Sequence, residues 1–310
     1  MLQIVTTGLL AIMAYPAISA PTQPPSGAPV PLFASNEILE VTIRAPVEKL
    51  MQERPLDEDL DGELVYDDAE LGEVTLHVGV RTRGRYRQQK RDSRFSPLRL
   101  NFKKSETDNT IFANSDKLKL VTHCRNRSHS YTQGLLREFI AYRIFNVISD
   151  SSFRVRLLRV RYVDTDEKAR PKERTNFAIL IEHRDQLARR IGTDVLDIEK
   201  TSASSLDGAH TNLGSVFQYL IGNTDFSPIR GADGERCCHN YELLTFDSGP
   251  QLAVPYDLDM SGFVDAPYAK PNPRFGLSSV RTRLYRGRCV NNEHLEDTLQ
   301  LYRDRKSDIY

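Results

Sequence analysis

The chain predicts a two-lobed α+β fold, with a strand-rich first lobe and a helix-rich second lobe. Between residues 36 and 182, apolar residues alternate with polar ones in several short runs, the period of a half-buried strand. One broadly apolar segment at 132–148 breaks that pattern with helical spacing. From residue 183 onward the spacing is mostly helical, and strands return only as short pieces around 241–246 and 251–257. At 310 residues and 39% apolar composition, the chain can bury a sizeable core. Basic and acidic residues balance at 42 each, so no global field favours nucleic acid as a partner.

Residues 1–20 read as a signal peptide. Positions 4–18 are mostly apolar, and a small-residue site follows at Ala17-Ile18-Ser19-Ala20. Residues 21–35 form a Pro-rich linker (Pro21, Pro24, Pro25, Pro29, Pro31). This predicts an exported protein, periplasmic, extracellular or in the cell envelope, with no transmembrane span in the mature chain. The first lobe then covers 36–182. Ile38, Val41 and Ile43 mark a strand, as do Val74, Leu76, Val78 and Val80. Leu98, Leu100 and Phe102 mark the next, and Leu118, Leu120 and Thr122 another. In the helix, Leu136, Ile140, Ile144 and Val147 line one side, while Leu135, Phe139, Tyr142 and Phe145 make the other apolar too. Glu138 lies within that apolar surface and requires a partner. In the strand at 153–164 the inward phase changes at Leu157-Leu158, which predicts a bulge.

The second lobe, 183–310, carries the chemistry. A helix over 212–221 runs into Asn223-Thr224-Asp225, a polar insert follows, and then come His239-Asn240 and a strand closed by Asp257 and Asp259. An acid, an amide and further acids in that order suit metal-assisted phosphoryl transfer. One carboxylate orients the nucleophile's proton, and hard oxygens hold Mg²⁺ or Mn²⁺ on the phosphates. Upstream, Arg83-Gly84-Arg85 is a tight basic turn in which glycine lets the backbone approach a phosphate and the arginines supply charge.

The segments YLIGNTDFS, HNYELL and VPYDLDMSG resemble the motifs of the CotH-type branch of the protein-kinase-like family and, more distantly, HipA-type kinases. That resemblance implies a protein-kinase-like fold and an exported, ATP-dependent phosphotransferase. It implies Asp225 as the catalytic acid, with Asn240 and Asp257 or Asp259 as metal ligands. By the same resemblance, Arg83, Gly84 and Arg85 face the nucleotide, ATP or another nucleoside triphosphate. Lys103 contacts phosphate, and Glu138 is its ion-pair partner. The acceptor is an unknown protein or envelope component. Two departures stand out: Phe226 follows Asp225 where the family carries a basic residue, and the insert 227–236 is long. A catalytically inactive binding module and AMP transfer on the same scaffold are the alternative readings.

Four cysteines, Cys124, Cys237, Cys238 and Cys289, fit an oxidising compartment as disulfide candidates. The adjacent Cys237 and Cys238 are expected to pair elsewhere, one with Cys124 and the other with Cys289. A zinc site joining His123-Cys124 to Cys238-His239 is a weaker alternative, because the chain has no C-x-x-C unit.

Overall fold

The computed structural model describes residues 30–84, 86–89, 93–232, 235–247 and 249–310. The expected signal peptide, most of the expected linker, and Arg85 lie outside the described residues.

The first part contains β1 (Leu39–Ala45), α1 (Val47–Glu53), β2 (Leu60–Asp68), β3 (Gly72–Thr82) and β4 (Leu98–Phe102). It continues with α2 (Lys104–Thr107), β5 (Lys117–Thr122), α3 (His129–Ile148), β6 (Val155–Asp164) and β7 (Glu173–Ile181). The strands close into a seven-stranded barrel in the order β1-β2-β3-β4-β5-β7-β6. Neighbours are antiparallel except β6 on β1, which run parallel from Leu39 opposite Leu158 to Ala45 opposite Asp164. The alternating apolar residues fill the interior. Val41, Ile43, Leu76, Val78, Val80, Leu98, Leu100, Leu118, Leu120, Val160 and Tyr162 belong to one core, with Leu32 and Phe33 packed into it.

This closed mixed barrel replaces the expected two-lobed, protein-kinase-like fold. Alternation reports which residues of a strand face inward, but it does not report the strand's partners. Closure comes from β6, which pairs with β7 on one side and β1 on the other. The expected bulge at Leu157-Leu158 is absent, because β6 keeps unbroken register with β7 from Val155 opposite Ile181 to Val163 opposite Glu173. Both faces of its first half are buried instead. Leu158 points into the barrel, while Val155 and Leu157 join a second core outside it.

That second core ties the barrel wall to the rest of the chain. The remaining elements are α4 (Arg184–Ile191), β8 (Asp194–Val195), α5 (Gly208–Leu220), β9 (Tyr241–Thr245), β10 (Gln251–Pro255), α6 (Leu295–Asp304) and α7 (Lys306–Ile309). Strands β8, β9 and β10 form a three-stranded sheet in the order β10-β9-β8. Leu135, Tyr142 and Phe145 of α3 share this core with Ile179 and Ile181 of β7, Phe217 of α5, and Leu244, Leu252 and Val254 of the small sheet. Helix α3 buries this face between the barrel and the sheet, while Ile140 on its other side is 45% exposed. Among the described residues, no helix is long and apolar enough to cross a membrane.

Candidate functional site

Three local structures converge where the small sheet meets α3 and the barrel rim. The first is the end of α5. Gly222, with φ of 65°, takes the left-handed position that glycine adopts without a Cβ clash. Its N–H donates to the Tyr219 carbonyl and the Asn223 N–H to the Gln218 carbonyl, the paired bonds of a Schellman stop. The Asn223 side chain then accepts from the Asp225 N–H at 2.9 Å, fixing the acidic residue just past the helix.

The second is the β9–β10 hairpin. Its register sets Tyr241 opposite Pro255, so Asn240 before β9 and Asp257 after β10 emerge at the same end. The Tyr256 N–H donates to the Asn240 carbonyl at 3.1 Å. Asn240 and Asp257 both have positive φ, 56° and 54°, conformations that Asn and Asp tolerate better than most residues. The long insert does not separate Asp225 from Asn240. It leaves and returns through Ser227 and His239, whose backbones exchange hydrogen bonds at 2.9 and 3.1 Å. Asn240 Nδ2 donates to the Asp225 carbonyl at 2.6 Å and to Asp225 Oδ2 at 3.2 Å, while His239 Nε2 lies 3.0 Å from Oδ1.

The third is the face of α3 that carries Glu138 and Tyr142, one turn apart. Tyr142 Oη accepts from the Asp257 N–H at 2.8 Å. Glu138 is only 2% exposed, and the cation it pairs with is Arg87, not Lys103. Arg87 is itself buried, and Nη2 lies 3.2 Å from Asp259, 3.6 Å from Asp257 and 4.0 Å from Glu138. Three carboxylates thus surround one guanidinium, and the Tyr268 hydroxyl donates to Asp259 at 2.9 Å.

The electrostatics follow from burial in that crowd. Burial first, then the neighbouring Asp259 and Asp257, push the Glu138 carboxyl up to about 8 against the pull of Arg87. Burial and Asp257 raise Asp259 to about 6. Burial alone would lower the Arg87 pKa, but Tyr268, Asp259 and Glu138 outweigh it and hold the guanidinium charged. The hydrogen bond to Asp225 raises His239 above its ordinary value.

A cavity of about 280 Å³ opens over this cluster, lined by Asp225, Asn240, Asp257 and Asp259 together with Arg83, Gly84 and Arg87. The positive φ of Gly84, 91°, suits the tight basic turn expected there. Lys103 lies elsewhere: it sits just past β4 and pairs with Glu106 at 3.0 Å. The lysine near the site is Lys119 of β5. Its ammonium stands 4.4 Å over the ring of Tyr256, which lines the cavity, and burial followed by the nearby Arg83 lowers it to about 8.

Arg87, Lys119 and Arg286 escape sequence reasoning. Arg286, from a distant loop, brings positive charge to the backbone on either side of Asp225. It donates to the Thr224 and Phe226 carbonyls at 2.8 Å each, and its guanidinium lies 4.4 Å from the Phe226 ring centre. A basic residue on an outward strand position, followed by the buried outward residue Val121, is the one signal that points to Lys119.

The cysteines also depart from expectation. Cys237 and Cys238 form a disulfide with each other across a cis peptide bond, while Cys124 is buried and free and Cys289 is exposed and free. His123 Nε2 is taken by Asn126 at 2.7 Å. The zinc arrangement is therefore not formed. More generally, no group of three histidine, cysteine or acidic side chains among the described residues is arranged to hold a metal ion unaided.

Asn240 and Asp257 offer hard oxygens on one cavity, and the amide nitrogen of Asn240 is committed to Asp225, which leaves its oxygen available. Glu138 Oε1 is buried without a hydrogen-bond partner. Three acids exceed the one guanidinium that compensates them. Mg²⁺ characteristically takes one or two carboxylates and completes its shell with water and substrate phosphates, so this set fits a cation that arrives with a nucleotide. No protein family's sequence profile matches the chain, and no curated protein matches it.

Proposed function

We propose that the chain is a phosphotransferase that moves a phosphoryl group from a metal-bound nucleoside triphosphate to a hydroxyl of a protein or envelope component. The observation that carries this reading is the position of Asp225. Its carboxylate is held by His239 and Asn240 at the edge of the cavity that also collects Asp257, Asp259, Arg83 and Arg87. Asn240 and Asp257, with Asp259 behind them, would hold Mg²⁺ or Mn²⁺, which when bound neutralises charge on the phosphates. Arg83, the Gly84 turn and Lys119 would meet the phosphates themselves. The acceptor oxygen attacks the terminal phosphorus, and the bond from that phosphorus to the bridging oxygen breaks. The nucleoside diphosphate leaves, and the hydroxyl proton passes to Asp225 and then to water. The reading rests on side-chain chemistry and not on fold class.

One observation favours a second reading, a binding module without catalysis: Arg87 already neutralises part of the acidic cluster where a cation would otherwise act. The test is to supply folded protein with Mn²⁺ and nucleoside triphosphate carrying either an α- or a γ-phosphoryl label. Incorporation of the γ label supports phosphoryl transfer, and incorporation of the α label supports AMP transfer. Metal-dependent nucleotide binding without incorporation supports the binding module. Neither binding nor incorporation rejects all three.

A further inference from the structure

Asp225 and His239 also line a second cavity, of about 270 Å³, which contains neither Asp257 nor Asp259. Its character is the reverse of the first. Arg230, Arg274 and Arg286 line it, and Asp225 is its one acidic residue among the described residues. Arg286 is fixed, with its guanidinium between the rings of Phe226 and Phe275 at 4.4 and 4.5 Å from their centres. Arg230 and Arg274 are exposed, and neither makes an ion pair with a described residue. Arg288 adds charge from an adjoining depression that also contains Arg230 and Arg286. Three guanidinium groups against one carboxylate among the described residues repel one another, and a bound anion removes that cost.

We infer that this second cavity is the acceptor subsite, and that the acceptor carries an anionic group, carboxylate or phosphate, close to the hydroxyl that is modified. The inference rests on the proposed transfer reading and specifies its substrate class. Arg230 and Arg274 take the anion in forked hydrogen bonds, Arg286 stiffens the floor beneath it, and the neighbouring hydroxyl comes within reach of Asp225. The proton still passes to Asp225 and the nucleoside diphosphate still leaves, while the anion itself undergoes no change.

The experiment uses serine peptides that differ only at the residue beside the serine: glutamate, phosphoserine, alanine or arginine. Glycerol 3-phosphate represents a small phosphate-bearing alcohol. Transfer with Mn²⁺ and nucleotide is measured alongside direct calorimetric binding of each probe. The glutamate or phosphoserine peptide, or glycerol 3-phosphate, should have kcat/KM at least about 10-fold above the alanine peptide, as expected for one or two charge-assisted hydrogen bonds. Which of them leads identifies a protein or a small-molecule source. Arg230→Gln and Arg274→Gln should erase the preference by raising KM, with nucleotide affinity intact. Both side chains are exposed, so folding is not at stake. Equal use of the alanine peptide, or a preference that survives both substitutions, overturns the inference. If no probe is modified, calorimetry decides. Anion binding that disappears in Arg230→Gln and Arg274→Gln upholds the subsite and leaves the transfer reading to fail alone. Nucleotide binding without anion binding overturns the subsite.

Discussion

His239 Nε2 and Asp225 Oδ1 are 3.0 Å apart, and this pair holds one oxygen of the carboxylate while Asn240 steadies the other. A carboxylate fixed at both oxygens has a defined direction in which to accept a proton, which is what a general base requires.

Asp225→Asn should lower transfer by about 10²-fold or more, the usual contribution of a positioned base, with nucleotide affinity little changed. The substitution is nearly isosteric, and Asp225 is not deeply buried, so the fold should survive. Single-turnover transfer and calorimetric nucleotide binding check this together. Transfer at the wild-type rate would remove Asp225 from the chemistry.

The same pair makes stability depend on pH. His239 is raised above its ordinary 6.5 in the folded chain by its bond to Asp225. Its stabilisation is therefore fully present below about pH 6.5 and lost as pH rises through the folded value. The gap in unfolding free energy between wild type and His239→Gln should be largest near pH 6 and should close at higher pH. A gap that is constant or widens with pH would contradict the ion pair.

Glu138 has a wider window. Its folded value is about 8 against an ordinary 4.5, so the folded chain holds the proton that the unfolded chain releases between those limits. Metal-free stability should accordingly fall as pH rises from about 4.5 to 8, with Asp259 adding to the fall between 3.8 and about 6. Urea unfolding at pH 5 and pH 8 measures the slope. Glu138→Gln should flatten it and stabilise the chain at the upper end.

Arg87 is the counter-charge of the cluster. Arg87→Leu should destabilise the metal-free chain by about 3–5 kcal/mol, because it strands buried carboxylates. Added Mg²⁺ or Mn²⁺ should then raise the melting temperature of the variant more than that of wild type. Equal shifts would mean that the carboxylates do not receive the cation.

The two lysines separate sequence from structure. Lys119→Met should weaken nucleotide binding by about 10-fold, the scale of one lost charged contact, whereas Lys103→Met should be silent. Calorimetric titration with Mg-nucleotide compares them directly.

The barrel strands were legible because half-buried strands print their phase into the chain, as in Leu98, Leu100 and Phe102. Asp225, Asn240 and Asp257 were legible as a set because short local elements hold them: a helix stop, a backbone pair and a hairpin register. Barrel closure was not, since it depends on β6 meeting β1 more than a hundred residues earlier, and local periodicity carries no trace of a parallel partner. Arg87 and Arg286 were hidden for the same reason. Each lies in an irregular segment, and its importance comes from what other parts of the chain place around it. Lys103 was favoured by the motif resemblance of the segment PLRLNFKK, but it pairs with Glu106 just past β4, and the neighbouring strand places Lys119 over the ring of Tyr256.

Asp225 stands on the wall between two cavities of nearly equal volume, one acidic with a basic rim and the other arginine-lined. Two reactants that occupy separate cavities need not wait for each other. Under the transfer reading, donor and acceptor form a ternary complex in either order, initial-rate plots at varied concentrations of both intersect, and no phosphorylated form of the protein accumulates when the acceptor is withheld.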